Sequence, residues 1–185
     1  MRIVLTGGPG AGKTAVLELL RAKLKSKIVL IPEAASIIFG GGFWRHNTIY
    51  SKIASQRAIF HIQKELEYVV ENENNNMMAV CDRGTLDGLA YWPKNESEFW
   101  KEVKSDRECE LKRYDLVIHL KTPSKSLGYN HNNPLRIESS FEAHEIDERI
   151  ISAWSGHHNR IFIESRHDFI EKANEAISII EKNLI

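Results

Sequence analysis

The sequence predicts an α/β protein built on one doubly wound, parallel sheet of five strands. Short apolar segments alternate with helical segments along the 185-residue chain, as in a parallel sheet covered by helices on both faces. Hydrophobic residues make up 42% of the chain, enough for a sizeable core. No linker or repeat divides the sequence, so we expect a single domain over residues 1–185.

A glycine-rich segment follows the first predicted strand, which covers residues 2–6. Residues 7–14 read GGPGAGKT, which matches the P-loop pattern G-x-x-x-x-G-K-T between a β-branched strand and a helix. Glycines let main-chain amides surround a polyphosphate, and the helix N-terminus adds the positive end of its dipole. The residues predicted to bind a nucleoside triphosphate are Gly8, Pro9, Gly10, Ala11, Gly12, Lys13 and Thr14.

Lys13 and Thr14 end this segment with the two side chains that phosphate chemistry requires. The Lys13 ammonium supplies a positive charge for the β- and γ-phosphates, and the Thr14 hydroxyl offers a hard oxygen ligand to Mg²⁺. The alternative is a glycine-rich turn that only links a strand to a helix. The complete eight-residue pattern in its strand–helix setting favours the nucleotide site.

The second strand is predicted at residues 27–31, an apolar run that ends before a proline. Proline cannot sit within a central ladder, so Glu33 should stand at the carboxyl end of this strand, where ligands of open α/β sheets gather. There Glu33 could accept the proton of a hydroxyl that attacks the γ-phosphate. It could equally cap the short helical segment 34–39. After three glycines, Phe43 and Trp44 could form a closing flap.

A long helix is predicted over residues 47–72 and the third strand over residues 77–81. The strand is apolar throughout and should be buried on both faces. We expect the helix to bury the apolar residues that recur at helical spacing. These are Ile59, Ile62, Leu66 and Val69.

Asp82 and Arg83 directly follow the third strand. A carboxylate after an apolar strand has the form of a Walker B residue, which would hold a Mg²⁺-bound water, although Asp82 could instead cap a helix. The planar guanidinium of Arg83 suits phosphate oxygens and could clamp a transferring phosphoryl group. Alternatively, Arg83 forms a structural ion pair with Asp87 or Glu33.

The remaining chain completes the alternation of strands and helices. A capping box at Asn95 opens a charged helix that should continue to about residue 113, and strands are predicted at 115–120 and 160–164. Further helices follow the capping boxes Ser139/Glu142 and Asp168/Glu171.

Residues 121–142 are predicted to form a lid over the phosphates. The segment is polar and rich in Asn and Gly, which suits a mobile loop. Phosphoryl transfer requires charge neutralisation and exclusion of water. Arg136 could meet both needs from the lid, and Arg149 is a second candidate on the following helix.

The composition limits the kinds of partner and cellular compartment that we expect for the chain. The formal net charge is zero and no dense basic run occurs, so a nucleic-acid partner is not indicated. Cys81 and Cys109 lie at neither disulfide-framework nor zinc-site spacing. No apolar stretch reaches membrane-spanning length. These observations predict a cytoplasmic protein with small-molecule partners.

The assembled motifs resemble those of the nucleoside- and nucleotide-kinase-like branch of P-loop proteins. More closely, the chain is similar to the small "AAA domain" ATP-binding family, which is related to nicotinamide riboside kinase domains. The resemblance lies in residues 7–14, 31–35, 82–88 and 133–138 and spans nearly the whole chain. No N-K-x-D guanine signature is present, so specificity for GTP is not supported.

The resemblance implies a P-loop NTPase fold of nucleotide-kinase type and a magnesium-dependent reaction with ATP. Glu33 would take the position of the kinase base, and Asp82 with Arg83 that of the Mg²⁺/phosphate pair. We therefore expect a phosphotransferase acting on a small hydroxylated, nucleoside-like metabolite, with Lys13, Glu33, Arg83 and Arg136 as catalytic residues and Thr14 and Asp82 at the metal. The alternative is a nucleotide-dependent binding or signalling module with slow hydrolysis.

Overall fold

The computed structural model describes residues 1–74, 76–123, 140–166 and 168–184. The strands in these ranges are β1 Arg2–Thr6, β2 Ile28–Ile31, β3 Met78–Asp82, β4 Leu116–Leu120 and β5 Arg160–Ile163. The α-helices are α1 Lys13–Leu24, α2 Ala34–Gly40, α3 Ile49–Glu73, α4 Glu96–Val103, α5 Arg107–Leu111, α6 Ser140–Ala153 and α7 Phe169–Lys182. Short 3₁₀ helices cover Lys25–Lys27 and Thr85–Tyr91.

The five strands form one parallel sheet in the order β2-β3-β1-β4-β5. β1 is central: Leu5 pairs with Asp82 of β3, and Thr6 pairs with His119 of β4. The crossover after β1 leads to β2, and the crossover after β3 leads in the opposite direction to β4, so a crevice opens between the carboxyl ends of β1 and β3. The segment after β1 lies at this crevice, and the predicted doubly wound five-stranded sheet is confirmed.

Each face of the sheet is covered by an apolar layer. Ile3 and Leu5 of β1 pack into a cluster with α1 and α7, whereas Val4 between them faces a second cluster that includes Ile150 and Trp154 of α6. This alternation within β1 explains why the strand is apolar throughout. The helix α7 has the regular apolar stripe expected of a helix that packs on one face.

The buried stripe predicted for α3 is wrong. Ile59, Ile62 and Leu66 are only partly buried, and Val69 is 46% exposed. The fully buried positions of α3 are mostly polar: Ser55, Gln56, Phe60, Gln63 and Glu67. At one end of this face, Ser55, Gln56 and Gln63 line a polar cavity. At the other end, Glu67 forms buried ion pairs.

Glu67 shows how a charged residue can occupy that face. Its fully buried carboxylate pairs with Arg2 at 3.3 Å and with Arg113, and it accepts hydrogen bonds from Tyr114 Oη and Gln63 Nε2, both at 2.8 Å. A buried charge is tolerated when it is paired and fully hydrogen-bonded. An analysis of hydrophobic periodicity cannot identify a buried position that is occupied by a charged residue.

The single helix predicted from residue 95 to residue 113 is divided into α4 and α5. Lys104 ends α4 in the left-handed conformation with φ 53°, and Asp106 begins α5 by accepting a hydrogen bond from the Cys109 amide at 2.8 Å. The local signals for this break are the cap at Asp106 and the weak apolar period of the segment. None of the described helices combines the length and the hydropathy of a membrane-spanning segment.

We predict that Gly7→Ala destabilises the protein by more than ~2 kcal/mol, because strain and steric overlap combine at this site. Gly7 has φ 136°, and an added Cβ would lie 2.1 Å from the Leu120 carbonyl oxygen. Gly40→Ala is the matched control, since a Cβ there would meet no atom within 4 Å. Urea unfolding measures both free energies, and equal stability of the two variants would contradict this account of Gly7.

Candidate phosphate-binding site

The P-loop connects β1 to α1 at the carboxyl edge of the sheet. Gly12 occupies the position before α1 with φ 96°, and Lys13 is the first helical residue. The amides of the first helical turn have no intrahelical partners and carry the positive end of the helix dipole. This geometry offers main-chain donors to an anion, as the sequence predicts for residues 12–14.

Lys13 lies over the loop that precedes it. Its Nζ donates hydrogen bonds to the carbonyl oxygens of Gly7 at 2.8 Å and Gly8 at 3.1 Å. The side chain is buried, and burial together with the nearby Arg83 lowers the pKa of Lys13 to about 8, against the opposing effect of Asp82 and Glu33. An anion bound at this site would stabilise the ammonium form of Lys13, so the charge of Lys13 favours the binding of a phosphate group here.

Asp82 ends β3 and is 9% exposed. Burial raises its pKa to about 6, although the Lys13 ammonium acts in the opposite direction. Its Oδ1 is buried and has no hydrogen-bond partner among the described residues. A buried carboxylate oxygen without a partner is costly in water-free surroundings and would be satisfied by a cation.

Asp82 and the exposed Thr14 therefore fit the predicted role at Mg²⁺. Both offer hard oxygen ligands to the same cavity. No cluster of three or more His, Cys, Asp or Glu side chains with metal-site geometry occurs in the described part of the chain.

Arg83 links the strand end of β2 to that of β3. Its Nε donates to Glu33 Oε1 at 2.7 Å, and one terminal nitrogen donates to Asp87 Oδ1 at 3.1 Å and to the Gly7 carbonyl oxygen at 3.2 Å. The residue adopts a left-handed conformation with φ 71°, a strained state that is retained where the surroundings require it. Both ion pairs considered from the sequence are thus present.

Glu33 is separated from β2 by Pro32 alone and precedes α2, as predicted. It occupies the N-cap position, but its side chain makes no capping bond to the backbone. Instead, its carboxylate accepts hydrogen bonds from the Ser36 hydroxyl and from Arg83. Although burial opposes ionisation, Arg83, Ser36 and Lys13 hold the pKa of Glu33 at about 2, so the carboxylate is charged at neutral pH.

One cavity of about 630 Å³ brings these groups together. The predicted site residues along its wall are Pro9, Gly10, Lys13, Thr14, Glu33, Asp82 and Arg83. Arg149, on α6, lines the cavity as well. Gly8, Ala11 and Gly12 do not line it, and Arg136 with most of the predicted lid lies outside the described residues.

Asp87 also lines the cavity, although the sequence analysis named it only as a possible ion-pair partner of Arg83. Besides Arg83, it accepts hydrogen bonds from the Thr6 hydroxyl, the Gly84 amide at 3.0 Å and Trp154 Nε1 at 3.1 Å. It thereby fixes the turn that presents Arg83. The ion pair with Arg83 could be proposed from the sequence, whereas the hydrogen bonds from Thr6 and Trp154 come from distant parts of the chain.

The pKa of Glu33 predicts an acid-dependent loss of stability. Its folded-state pKa of about 2 lies below the unfolded value, ~4.3, so the stabilisation is complete above the unfolded pKa and is lost as pH falls toward 2. The unfolding free energy of the wild type should therefore decline more steeply below pH ~4.5 than that of Glu33→Gln. Urea titrations across this range measure both, and parallel pH profiles would show that Glu33 is not ion-paired in solution.

Comparisons with known proteins give the family and the fold of the chain. The model of a family described as AAA domain matches residues 2–172. Deoxyadenosine kinase from M. mycoides with bound dATP superimposes with a TM-score of 0.67 at 14% identity, covering 98% of this chain and 100% of that chain. No curated protein sequence matches the chain.

Thymidylate kinase from Candida albicans is similar to the same extent, with a TM-score of 0.66 at 14% identity over 98% of this chain and 91% of that chain. At such identities the likeness establishes the fold. The predicted P-loop fold of nucleotide-kinase type is thereby confirmed.

Proposed function

We propose that this chain, which belongs to the AAA domain family, transfers the γ-phosphate of ATP to a hydroxyl group of a small, nucleoside-like acceptor. The observation that carries the proposal is the convergence of Lys13, Glu33, Asp82 and Arg83 on one cavity. A phosphate-binding loop alone serves many NTPases. A charged carboxylate beside an arginine in the same cavity adds the groups that an acceptor hydroxyl requires.

The basic residues would bind the phosphates and stabilise the charge that develops during transfer. Lys13 and the amides at the start of α1 would hold the β- and γ-phosphates. Arg83 and Arg149 both line the cavity, Arg83 after β3 and Arg149 on α6, and their guanidinium groups would bind oxygens of the transferred phosphate. Asp82 and Thr14 would hold Mg²⁺, which when bound neutralises negative charge on the phosphate oxygens.

Glu33 would orient the acceptor hydroxyl and receive its proton. Its position after β2 brings it to the wall of the cavity that Lys13 and Thr14 also line. A carboxylate with a pKa of about 2 is a weak base, so the proton would move late, as suits a loose transition state in which the attacking oxygen gains little charge early. An ionised Glu33 also disfavours an acceptor whose attacking group is already anionic.

The nucleoside-like class of acceptor is supported by the other side of the cavity. A volume of about 630 Å³ lies within the range of small-molecule sites. Gln56 and Gln63 of α3 supply amides to this wall, and Phe39 and Tyr91 supply aromatic rings. Amides can pair with the edge of a heterocycle while rings contact its faces. Of the kinases of similar fold, deoxyadenosine kinase carries the name of a nucleoside, whereas thymidylate kinase carries the name of a nucleotide.

A second candidate function is a nucleotide-switched binding module. Trp44 is 76% exposed and Tyr50 is 81% exposed on the segment between α2 and the start of α3. Exposed aromatic residues beside a nucleotide site could contact a partner when the nucleotide changes. This candidate predicts hydrolysis without an acceptor, whereas the kinase requires one.

A thermal-shift screen of nucleosides, vitamins and sugars, each with and without Mg-ATP, tests the proposal. A ligand that binds only the folded state raises the melting temperature, by an amount set by its concentration relative to Kd. The proposal predicts a shift with Mg-ATP and a further shift with at least one nucleoside. A shift with Mg-ATP alone, across the whole set, would favour the switch module.

A further inference from the structure

We infer that Asp147 and Lys172 are positioning residues for the P-loop, which hold its main chain from two helices in the conformation that binds phosphate. The inference rests on the proposed nucleotide site. Neither residue lines the cavity. Both are buried charged residues that contact backbone atoms within the P-loop.

Asp147 holds the start of the loop from α6. One carboxylate oxygen accepts hydrogen bonds from the Gly8 amide at 2.7 Å and from His119 Nε2 at 2.8 Å, and the other accepts from the Thr122 amide at 3.1 Å. The side chain is 1% exposed. Although burial opposes ionisation, the hydrogen bond from His119 and those from the two amides lower the pKa of Asp147.

The hydrogen bonds around His119 indicate which of its ring nitrogens donates to Asp147. His119 is fully buried and its Nδ1 has no hydrogen-bond partner among the described residues. A neutral ring with its proton on Nε2 avoids burying an unsatisfied N–H donor at Nδ1. Asp147 therefore accepts hydrogen bonds from Gly8, His119 and Thr122. Because the Gly8 amide donates to Asp147, we do not count it among the amides that would bind phosphate.

Lys172 holds the middle of the loop from α7. Its Nζ donates to the Ala11 carbonyl oxygen at 3.0 Å and to the Lys121 carbonyl oxygen at 2.6 Å. The residue is 3% exposed. Burial lowers its pKa to about 8, against the opposing charges of Asp147 and Glu164. A lysine in such surroundings is costly unless its donors are satisfied.

The two residues bind opposite kinds of backbone group in the P-loop. The carboxylate of Asp147 binds an N–H group of Gly8, and the ammonium of Lys172 binds a C=O group of Ala11. Because the Ala11 carbonyl oxygen is bound to Lys172, its dipole would not oppose phosphates that bind at the start of α1. Charge-assisted hydrogen bonds of this kind are about twice as strong as neutral ones.

The test measures binding of ATP and of inorganic tripolyphosphate, each with Mg²⁺, by isothermal titration calorimetry. Asp147→Asn and Lys172→Met should each raise Kd for both ligands by about tenfold or more, the effect of one charge-assisted hydrogen bond. Lys172→Arg keeps a charged donor and should bind more tightly than Lys172→Met. The matched controls are the exposed neighbours Glu148→Gln and Glu171→Gln, which should bind as the wild type does.

Each variant is titrated at a temperature where circular dichroism shows that it is folded. If Asp147→Asn does not fold, the comparison of Lys172→Met with Lys172→Arg decides the matter. Folded variants that bind tripolyphosphate as tightly as the wild type would overturn the inference while leaving the nucleotide site intact. A wild type that binds neither ligand would overturn the proposed function, and the inference with it.

Discussion

Replacing Lys13 with Met is expected to reduce phosphoryl transfer by ~10²–10³-fold and to weaken ATP binding, because the β- and γ-phosphates lose their nearest positive charge. Lys13 is the first residue of α1, is buried and projects over the loop carbonyls. Methionine fills a similar volume without charge, so the loss should be electrostatic. Steady-state kinetics and calorimetry with Mg-ATP measure the two effects.

The control for this variant is Lys101→Met, on the exposed surface of α4. It removes the same charge from the molecule without touching the cavity, and it should match the wild type in both measurements. Because the pKa of Lys13 is about 8 in the ligand-free protein, the comparison is made at pH 7, where the side chain is mostly protonated. Wild-type transfer by Lys13→Met would remove Lys13 from the account of the site.

Replacing Glu33 with Gln is expected to reduce transfer by ~10²–10⁴-fold while ATP still binds, because only the proton acceptor is lost. The amide can still accept the hydrogen bond that Arg83 now donates to the carboxylate at 2.7 Å, so the geometry of Arg83 should persist. The measured quantities are kcat for transfer and Kd for Mg-ATP.

Glu65→Gln, on the exposed face of α3, serves as the control for the change in charge and should transfer at the wild-type rate. Transfer by Glu33→Gln at an undiminished rate would show that Glu33 acts only through its ion pair with Arg83. Loss of ATP binding in this variant would instead indicate that the ion pair holds the phosphate site together.

Those parts of the site that come from strand ends could be predicted from the sequence. Glu33 follows β2, Asp82 is the last residue of β3, and Arg83 comes next. Carboxyl ends of parallel strands meet at one edge of a sheet, so an apolar run followed by a charged residue indicates both the element and the place of the side chain. The P-loop was recognisable because its function depends on local backbone geometry within eight residues.

Apart from Arg149 of α6, which the sequence analysis named, the parts contributed by helix faces could not be predicted in this way. Asp147 and Lys172 lie on helices where charged residues ordinarily face solvent, and their burial depends on the loop that packs against them. Gln63 and Glu67 lie on a buried polar face of α3, which hydrophobic periodicity assigned to the surface. Such residues are identified only by long-range contacts, since their local sequence is that of an exposed helix.

Phosphorus NMR of the protein with Mg-ATP, in the presence and absence of a nucleoside mixture, tests the central claim most directly. The resonances of ATP, ADP, inorganic phosphate and phosphate monoesters are resolved, so each phosphoryl group can be followed to its product. The account predicts that ADP forms together with an equal amount of a phosphate monoester, and only when an acceptor is present. Release of inorganic phosphate alone, at the same rate with and without nucleosides, would contradict it.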